Sequence, residues 1–168
     1  YGLGRYMNEL VSLKDNLPNK ILLSGPKGVG KSTLAFHFIN YILSKNEEFK
    51  YDIDNYEINS KNRTFIITLN KSNPNLYVLR VNQETKTINI NQIRDLISSL
   101  KKSSFNKKPR FVLIDNVEYL NINSVNALLK ILEEPNENIF FILINNDKKL
   151  IPTLKSRCLN FRISLSNA

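Results

Sequence analysis

A glycine-rich run between an apolar segment and a helical segment carries the strongest chemical signal in the sequence. Residues 25 to 32 read Gly-Pro-Lys-Gly-Val-Gly-Lys-Ser and match the pattern G-x-x-x-x-G-K-[ST] without a mismatch. Glycines in this pattern let backbone N–H groups converge on phosphate oxygens, and the helix after them adds about half a positive charge at its N-terminus. Lys31 would reach the β- and γ-phosphates, and the Ser32 hydroxyl would ligate Mg²⁺. The run predicts ATP or GTP binding, and the alternative is an ordinary glycine-rich turn.

Polar residues follow two apolar runs further along the chain. Phe111 to Asp115 is an apolar strand that ends in a carboxylate, about eighty residues after the glycine run. An aspartate in this position holds Mg²⁺ through water in P-loop sites, because a hard cation prefers oxygen ligands. Asn145 and Asn146 follow the apolar run of residues 139 to 144, where a polar side chain can orient water beside a γ-phosphate. The alternative for Asp115 is that it belongs to a plain turn at the end of the strand. The alternative for the Asn-Asn-Asp sequence is likewise that it is a simple turn.

Hydrophobic periodicity predicts the elements that position these residues. Strands and helices alternate along most of the chain, which is typical of an α/β fold with a parallel sheet. The segment of residues 46 to 75 is polar and predicts a surface excursion that contains one β-type run. The predicted helices are Tyr6–Leu17, Ser32–Leu43, Ile90–Leu100 and Asn123–Glu134, the last stopped by Pro135; the predicted strands are Lys20–Ser24, Thr64–Leu69, Leu76–Val81, Phe111–Asp115, Ile139–Ile144 and Asn160–Ile163.

Length and composition limit the class of protein. With 168 residues, the chain is expected to be a single domain. The net charge of +9 favours an acidic partner such as nucleic acid, although enrichment in Lys, Asn and Ile from codon bias would produce the same balance. Cys158 is the only cysteine, so neither a disulfide framework nor a cysteine-built zinc site is expected. Because no transmembrane span or signal peptide is recognised, we expect a cytoplasmic protein without membrane contacts.

Three separated stretches resemble one family. They are Gly25 to Thr33, the run Asn-Ala-Leu-Leu-Lys-Ile-Leu-Glu-Glu-Pro at residues 126 to 135, and Ser-Arg-Cys at residues 156 to 158. Together they are similar to the AAA+ core of bacterial DNA polymerase III clamp-loader subunits, the gamma/tau and delta-prime pair. The run at residues 126 to 135 is the most specific of the three, and similar segments near residues 74 and 91 extend the resemblance over nearly the whole chain.

The resemblance implies a fold and a set of site residues. The fold would be a P-loop NTPase core with a five-stranded parallel sheet of order 5-1-4-3-2, and residues 1 to 168 would form this core without the family's lid and collar domains. The arginine of the Ser-Arg-Cys motif, here Arg157, would reach in trans into a neighbouring subunit's ATP site; a local ion pair is the alternative. Mg²⁺ would be held by Ser32 and, through water, by Asp115. The expected nucleotide-binding residues are Gly25, Lys27, Gly28, Val29, Gly30, Lys31, Ser32, Thr33, Asp115 and Asn145.

Two departures from the family pattern bear on which subunit the chain resembles. Residues 46 to 75 contain no cysteine, whereas gamma/tau members and many delta-prime members carry a four-cysteine zinc module there. Asn116 follows Asp115, whereas the active gamma/tau pattern has glutamate at that position. Both departures favour a delta-prime-like subunit that uses ATP or ADP with Mg²⁺ and no zinc. Its partners would be gamma/tau and delta subunits and, through the complex, the sliding clamp and primed DNA.

The same departure at Asn116 predicts weak or no ATP hydrolysis. Asn116 cannot accept the proton of the attacking water, a contribution of typically 10² to 10⁴ in rate. If the chain stays extended past Asp115, Glu118 would lie roughly 7 Å from Asn116, too far to substitute for a glutamate at residue 116. A hydrolysing gamma/tau-like subunit is the first alternative, and an unrelated P-loop NTPase is the second.

Overall fold

The computed structural model describes residues 2–133 and 138–165, in which five strands form a single parallel sheet. The strands are β1 (Lys20–Ser24), β2 (Leu76–Leu79), β3 (Arg110–Ile114), β4 (Ile139–Asn145) and β5 (Leu159–Arg162). Their spatial order is β2-β3-β4-β1-β5, which is the order predicted from the resemblance, read from the other edge. The central strands β1, β3 and β4 are almost continuously apolar because helices cover both faces of the sheet.

Six helices surround the sheet in the described residues. They are α1 (Gly4–Ser12), α2 (Lys31–Leu43), α3 (Arg63–Leu69), α4 (Ile90–Lys101), α5 (Ile122–Glu133) and α6 (Pro152–Lys155), with 3-10 turns at Lys14–Asn16 and Val117–Tyr119. The core divides at the sheet because alternate side chains of a strand point to opposite faces. Ile21 and Leu23 pack with α1 and α2, whereas Leu22 packs with α4 and α5. None of the helices seen in the described ranges is long and apolar enough to cross a membrane.

The predicted strand at Thr64–Leu69 is wrong, because this segment forms helix α3. Its β-branched residues favour a strand by local propensity, but Asn62 starts a helix: its side-chain oxygen accepts a hydrogen bond from the Phe65 N–H at 2.8 Å. Asn62 is fully buried and exchanges two side-chain hydrogen bonds with Asn40 on α2, at 2.9 and 3.0 Å. The cap and this tertiary contact together override the strand propensity of the segment.

The segment of residues 46 to 75 is also less superficial than predicted. Tyr51 is buried in the core cluster on the α2 side, and Ile53 and Ile58 pack against the same cluster. The segment therefore contributes to the core as well as to the surface.

Other element boundaries differ from prediction by a few residues. The first helix ends at Ser12 and is followed by a 3-10 turn, so it is shorter than the predicted Tyr6–Leu17. Strand β2 ends at Leu79, at the edge of the sheet, and is only partly buried. Helix α5 is described to Glu133; Glu134 and Pro135, the predicted end and stop of this helix, lie outside the described residues.

Candidate functional site

The glycine run forms a tight loop between β1 and α2. Gly25 has φ 150°, and a Cβ atom added there would lie 2.2 Å from the backbone oxygen of Ile163. Gly30 has φ 93° and precedes the first residue of α2, Lys31. A side chain is excluded at Gly25 by the neighbouring backbone and strained at Gly30 by the left-handed conformation. The two glycines let the backbone make the loop that the sequence motif predicts.

Lys31 lies inside this loop. Its side chain is 3% exposed, and its ammonium donates hydrogen bonds to the carbonyl oxygens of Gly25 at 2.8 Å and Pro26 at 2.6 Å. Burial lowers the pKa of Lys31, while the negative charges of Asp147, Glu118 and Asp115 act in the opposite direction. The ammonium therefore lies in the electrostatic field of three carboxylates. A phosphate oxygen could replace the two loop carbonyls as its hydrogen-bond acceptor.

The order of the strands brings the predicted site residues to one edge of the sheet. Strand β4 lies between β3 and β1, with Asn145 opposite Ser24 in the register. The Gly25 N–H donates to the Asn145 carbonyl at 3.3 Å, and the Asp115 N–H donates to the Leu79 carbonyl at 3.0 Å. Because all five strands are parallel, their carboxyl ends share this edge, where open α/β sheets bind ligands. Asp115 and Asn145 thus lie on the same edge as the glycine loop, as predicted.

The backbone turns sharply after Asp115. Asn116 adopts a left-handed conformation with φ 61° and ψ 59°, and Val117–Tyr119 forms a 3-10 turn. This turn brings the Glu118 carboxylate back to the sheet edge, where its Oε1 accepts a hydrogen bond from the Asn146 N–H at 3.4 Å. The premise that the chain stays extended past Asp115 is therefore wrong, and Glu118 lies close enough to act on the charge of Lys31.

The two asparagines after β4 make local contacts. The Asn145 amide donates to the Lys148 carbonyl at 2.9 Å and accepts from the Lys148 N–H at 3.2 Å, which is a turn-type arrangement. The Asn146 amide donates to the side-chain oxygen of Asn116 and ties the end of β4 to the end of β3. Water orientation by Asn145 stays a prediction, since in this structure its amide groups bind the Lys148 backbone.

Asp147 and Arg162 form an ion pair beside the loop. The guanidinium nitrogens of Arg162 lie 2.7 and 3.2 Å from the two carboxylate oxygens of Asp147. These hydrogen bonds lower the pKa of Asp147. Arg162 pairs with Ser24 in the strand register, so the pair is held next to the start of the glycine loop. Its charges offset one another, which leaves Asp115 and Glu118 as the site's carboxylates without an ion-pair partner among the described residues.

The predicted trans-acting arginine makes contacts away from this loop. Arg157 follows α6, and its guanidinium donates to the Thr153 carbonyl at 2.8 Å and to the Glu133 carboxylate at 2.5 Å. Its side chain remains 31% exposed. The local ion pair considered from the sequence is present, and the arginine still has surface that another molecule could contact.

The oxygen-rich character of the site fits Mg²⁺. The Ser32 hydroxyl is at the start of α2, Asp115 directly follows β3, and Glu118 Oε2 is buried without a hydrogen-bond partner among the described residues. Hydroxyl and carboxylate oxygens are ligands that Mg²⁺ accepts, directly or through its water shell. When bound with a nucleotide, the ion neutralises phosphate charge.

The sheet and the glycine loop together define a P-loop core with the AAA+ fold. A family model described as DNA polymerase III, delta subunit, matches residues 6–167, and the chain belongs to this family.

Individual relatives include two different subunits. The chain is 30% identical over 148 residues to DNA polymerase III subunit delta′ of Pseudomonas aeruginosa, covering 88% of this chain and 43% of the relative. It is 32% identical over 145 residues to DNA polymerase III subunit gamma of Buchnera aphidicola subsp. Schizaphis graminum, covering 86% and 38%. The chain spans less than half of either relative, and the identities do not separate a delta′-like from a gamma-like subunit.

A solved structure supports the fold. The crystal structure of a DNA polymerase III gamma subunit-related protein from Thermotoga maritima superposes with a TM-score of 0.67 at 18% identity. The superposition covers 96% of this chain and 46% of the other. At this identity the similarity concerns the fold alone.

Sequence reasoning misses two residues of the site. An extended chain after Asp115 would place Glu118 too far away, and Asp147 figures in the sequence only as part of a turn. The sequence does contain a hint of the position of Glu118, namely the asparagine after Asp115. Asparagine tolerates the left-handed conformation and thereby permits the chain to reverse its direction. No local pattern indicates the contact of Asp147 with Arg162, which depends on the packing of β5 beside β1.

Proposed function

We propose that this chain is the nucleotide-binding core of a delta-prime-like subunit of the DNA polymerase III clamp loader. It binds ATP or ADP with Mg²⁺ in the loop of residues 25 to 32, with Ser32 and Asp115 holding the ion. Arg157 is donated to the ATP site of a neighbouring subunit during loading of the sliding clamp onto primed DNA. Gamma/tau and delta subunits are its partners, and clamp loading takes place in the cytoplasm.

The arrangement of Lys31 is the observation that supports nucleotide binding. A buried ammonium hydrogen-bonded to backbone carbonyls, at the start of a helix and under a glycine loop, is suited to an anionic ligand. Lys31 has no direct carboxylate partner among the described ion pairs. Phosphate oxygens would supply that partner.

The assignment to the delta-prime type is supported by the residue after Asp115. Asn116 offers an amide to the attacking water, and its side-chain oxygen already accepts from Asn146. Turnover at this site is therefore weak or absent, and the subunit acts chiefly through its contacts. A gamma/tau-like hydrolysing subunit is the second candidate, because the chain is about as similar to a gamma subunit (32% identical) as to a delta′ subunit (30% identical).

Calorimetric titration of the chain with ATP and Mg²⁺ tests the nucleotide site. We expect a saturable heat that Lys31→Ala abolishes, because the substitution removes the buried cation facing the phosphates. Lys45→Ala, at an exposed residue just after α2, is the matched control and should bind as the wild type does. Absence of saturable heat in the wild type would refute nucleotide binding by this chain.

A further inference from the structure

Only one of the two carboxylate oxygens of Glu118 has a hydrogen-bond partner among the described residues. Oε1 accepts from the Asn146 N–H at 3.4 Å, whereas Oε2 is buried and has no hydrogen-bond partner in the described part of the chain. A buried carboxylate oxygen without a partner is unfavourable, because it has lost its hydration and gained no hydrogen bond in return. Such an atom is expected to have a partner that arrives with a ligand.

The position of Glu118 shows where this ligand would lie. Asn146 follows β4, the strand next to β1, so a carboxylate hydrogen-bonded there lies across the sheet edge toward the glycine loop. The left-handed conformation of Asn116 and the 3-10 turn after it hold Glu118 in this place. The Glu118 carboxylate therefore lies at the sheet edge that also carries Asp115 and the glycine loop.

We propose that Glu118 is a second carboxylate of the nucleotide site, whose free oxygen accepts a hydrogen bond from a water molecule on the Mg²⁺ that accompanies ATP. This role rests on the proposed function of the loop of residues 25 to 32. It assigns Glu118 to the water shell of the ion.

The balance of charge at the site gives the role a measurable consequence. Lys31 brings one positive charge, Asp115 and Glu118 bring two negative charges, and Asp147 is paired with Arg162. Metal-free ATP is repelled by these two carboxylates, whereas ATP with Mg²⁺ presents a cation to them. Glu118 therefore weakens binding of metal-free ATP and strengthens binding of MgATP, so that one residue changes the two affinities in opposite directions.

The test is calorimetric titration of the full chain with ATP, once with Mg²⁺ and once with EDTA. The quantity compared is the ratio of the two dissociation constants, without metal over with metal. In Glu118→Gln this ratio should fall about tenfold, because the amide keeps the shape and can still accept from Asn146 but lacks the charge. Glu84→Gln, at an exposed residue between β2 and α4, is the control and should leave the ratio unchanged.

The outcomes separate this inference from the proposed function. A ratio for Glu118→Gln within threefold of the wild type overturns the role of Glu118, and a larger fall supports it. If the wild type binds ATP under neither condition, the proposed nucleotide site itself fails. Thermal unfolding checks that the variant is folded; if it is not, Glu118→Asp, which retracts the carboxylate by one methylene, is measured against the same threefold criterion.

Discussion

Arg157 and Glu133 form an ion pair across 24 residues of sequence, with Nη2 and Oε1 2.5 Å apart. Glu133 lies in the last turn of α5, where the helix dipole disfavours a carboxylate, and the guanidinium offsets that charge. The pair is partly solvent-exposed, so its contribution to stability is small. An arginine held this weakly is able to exchange Glu133 for another anion, as its proposed role at a neighbouring subunit requires.

Replacement of Arg157 tests its proposed action on a partner. Arg157→Ala should leave nucleotide binding by this chain unchanged and lower the ATPase rate of the assembled clamp loader at least about tenfold, because a guanidinium supplied in trans contributes roughly 10³ to 10⁵ in rate. Steady-state ATPase assays on the reconstituted complex measure the effect. An unchanged rate would mean that the arginine is only structural.

Glu133→Gln is the matched control for this experiment. It removes the charged partner of Arg157 and leaves the hydrogen bond to the Thr153 carbonyl in place, so the ATPase rate of the complex should stay within about twofold of the wild type. If Glu133→Gln lowers the rate as strongly as Arg157→Ala, the pair itself is what the complex needs, and action in trans is contradicted.

Asn62 should contribute strongly to stability. Asn62→Ala removes the cap of α3 and leaves the Asn40 amide buried without its partner, which together should reduce the free energy of unfolding by roughly 2–4 kcal/mol. Urea denaturation measures the change. Asn123→Ala, at an exposed residue of α5, should stay within about 0.5 kcal/mol of the wild type, and an equal loss in both variants would refute the proposed importance of Asn62.

Tyr51 should make stability depend on pH in the alkaline range. Burial, followed by the charges of Tyr56 and Asp52, raises the pKa of Tyr51 from 10.0 to about 12. A raised pKa means that the folded state favours the neutral phenol, so this contribution is complete below pH 10 and is lost as the pH approaches about 12. The Tyr51 hydroxyl also lies 2.8 Å from Nδ1 of His37.

Urea denaturation of the wild type and Tyr51→Phe across this pH range isolates the effect. Below pH 10 the variant should be less stable by about 1 kcal/mol, the usual contribution of one hydrogen bond. The difference should shrink as the pH rises. A difference in stability that is constant with pH would contradict the shifted pKa.

The sheet and its loop are predictable from the sequence because strong local signals agree there. Buried strands such as Lys20–Ser24 are short apolar runs bounded by turn residues, and the glycine motif specifies a loop and a helix after the first of them. The segment Thr64–Leu69 is mispredicted for the opposite reason. Its β-branched residues favour a strand, whereas the contact that decides its structure, between Asn62 and Asn40, joins residues 22 positions apart.

The candidate site is likewise predictable where motifs specify it and not where distant contacts decide the geometry. Motifs place Lys31, Ser32 and Asp115 at one edge of the sheet, because parallel strands end together. The place of Glu118 depends on a left-handed residue at Asn116, a conformation that asparagine permits but does not require. The occupation of the Asn145 amide by Lys148 depends in turn on the geometry of the loop after β4.

The central claim is that this subunit holds ATP without hydrolysing it appreciably. The most direct measurement is ATP turnover in a reconstituted clamp loader whose other ATP sites are disabled by substitution of their loop lysines, with wild type compared to Asn116→Glu. The wild type should show no turnover above background, and Asn116→Glu should raise it at least about tenfold, since base catalysis contributes typically 10² to 10⁴ in rate. Hydrolysis by the wild type within seconds or faster would contradict the claim and favour a gamma/tau-like motor.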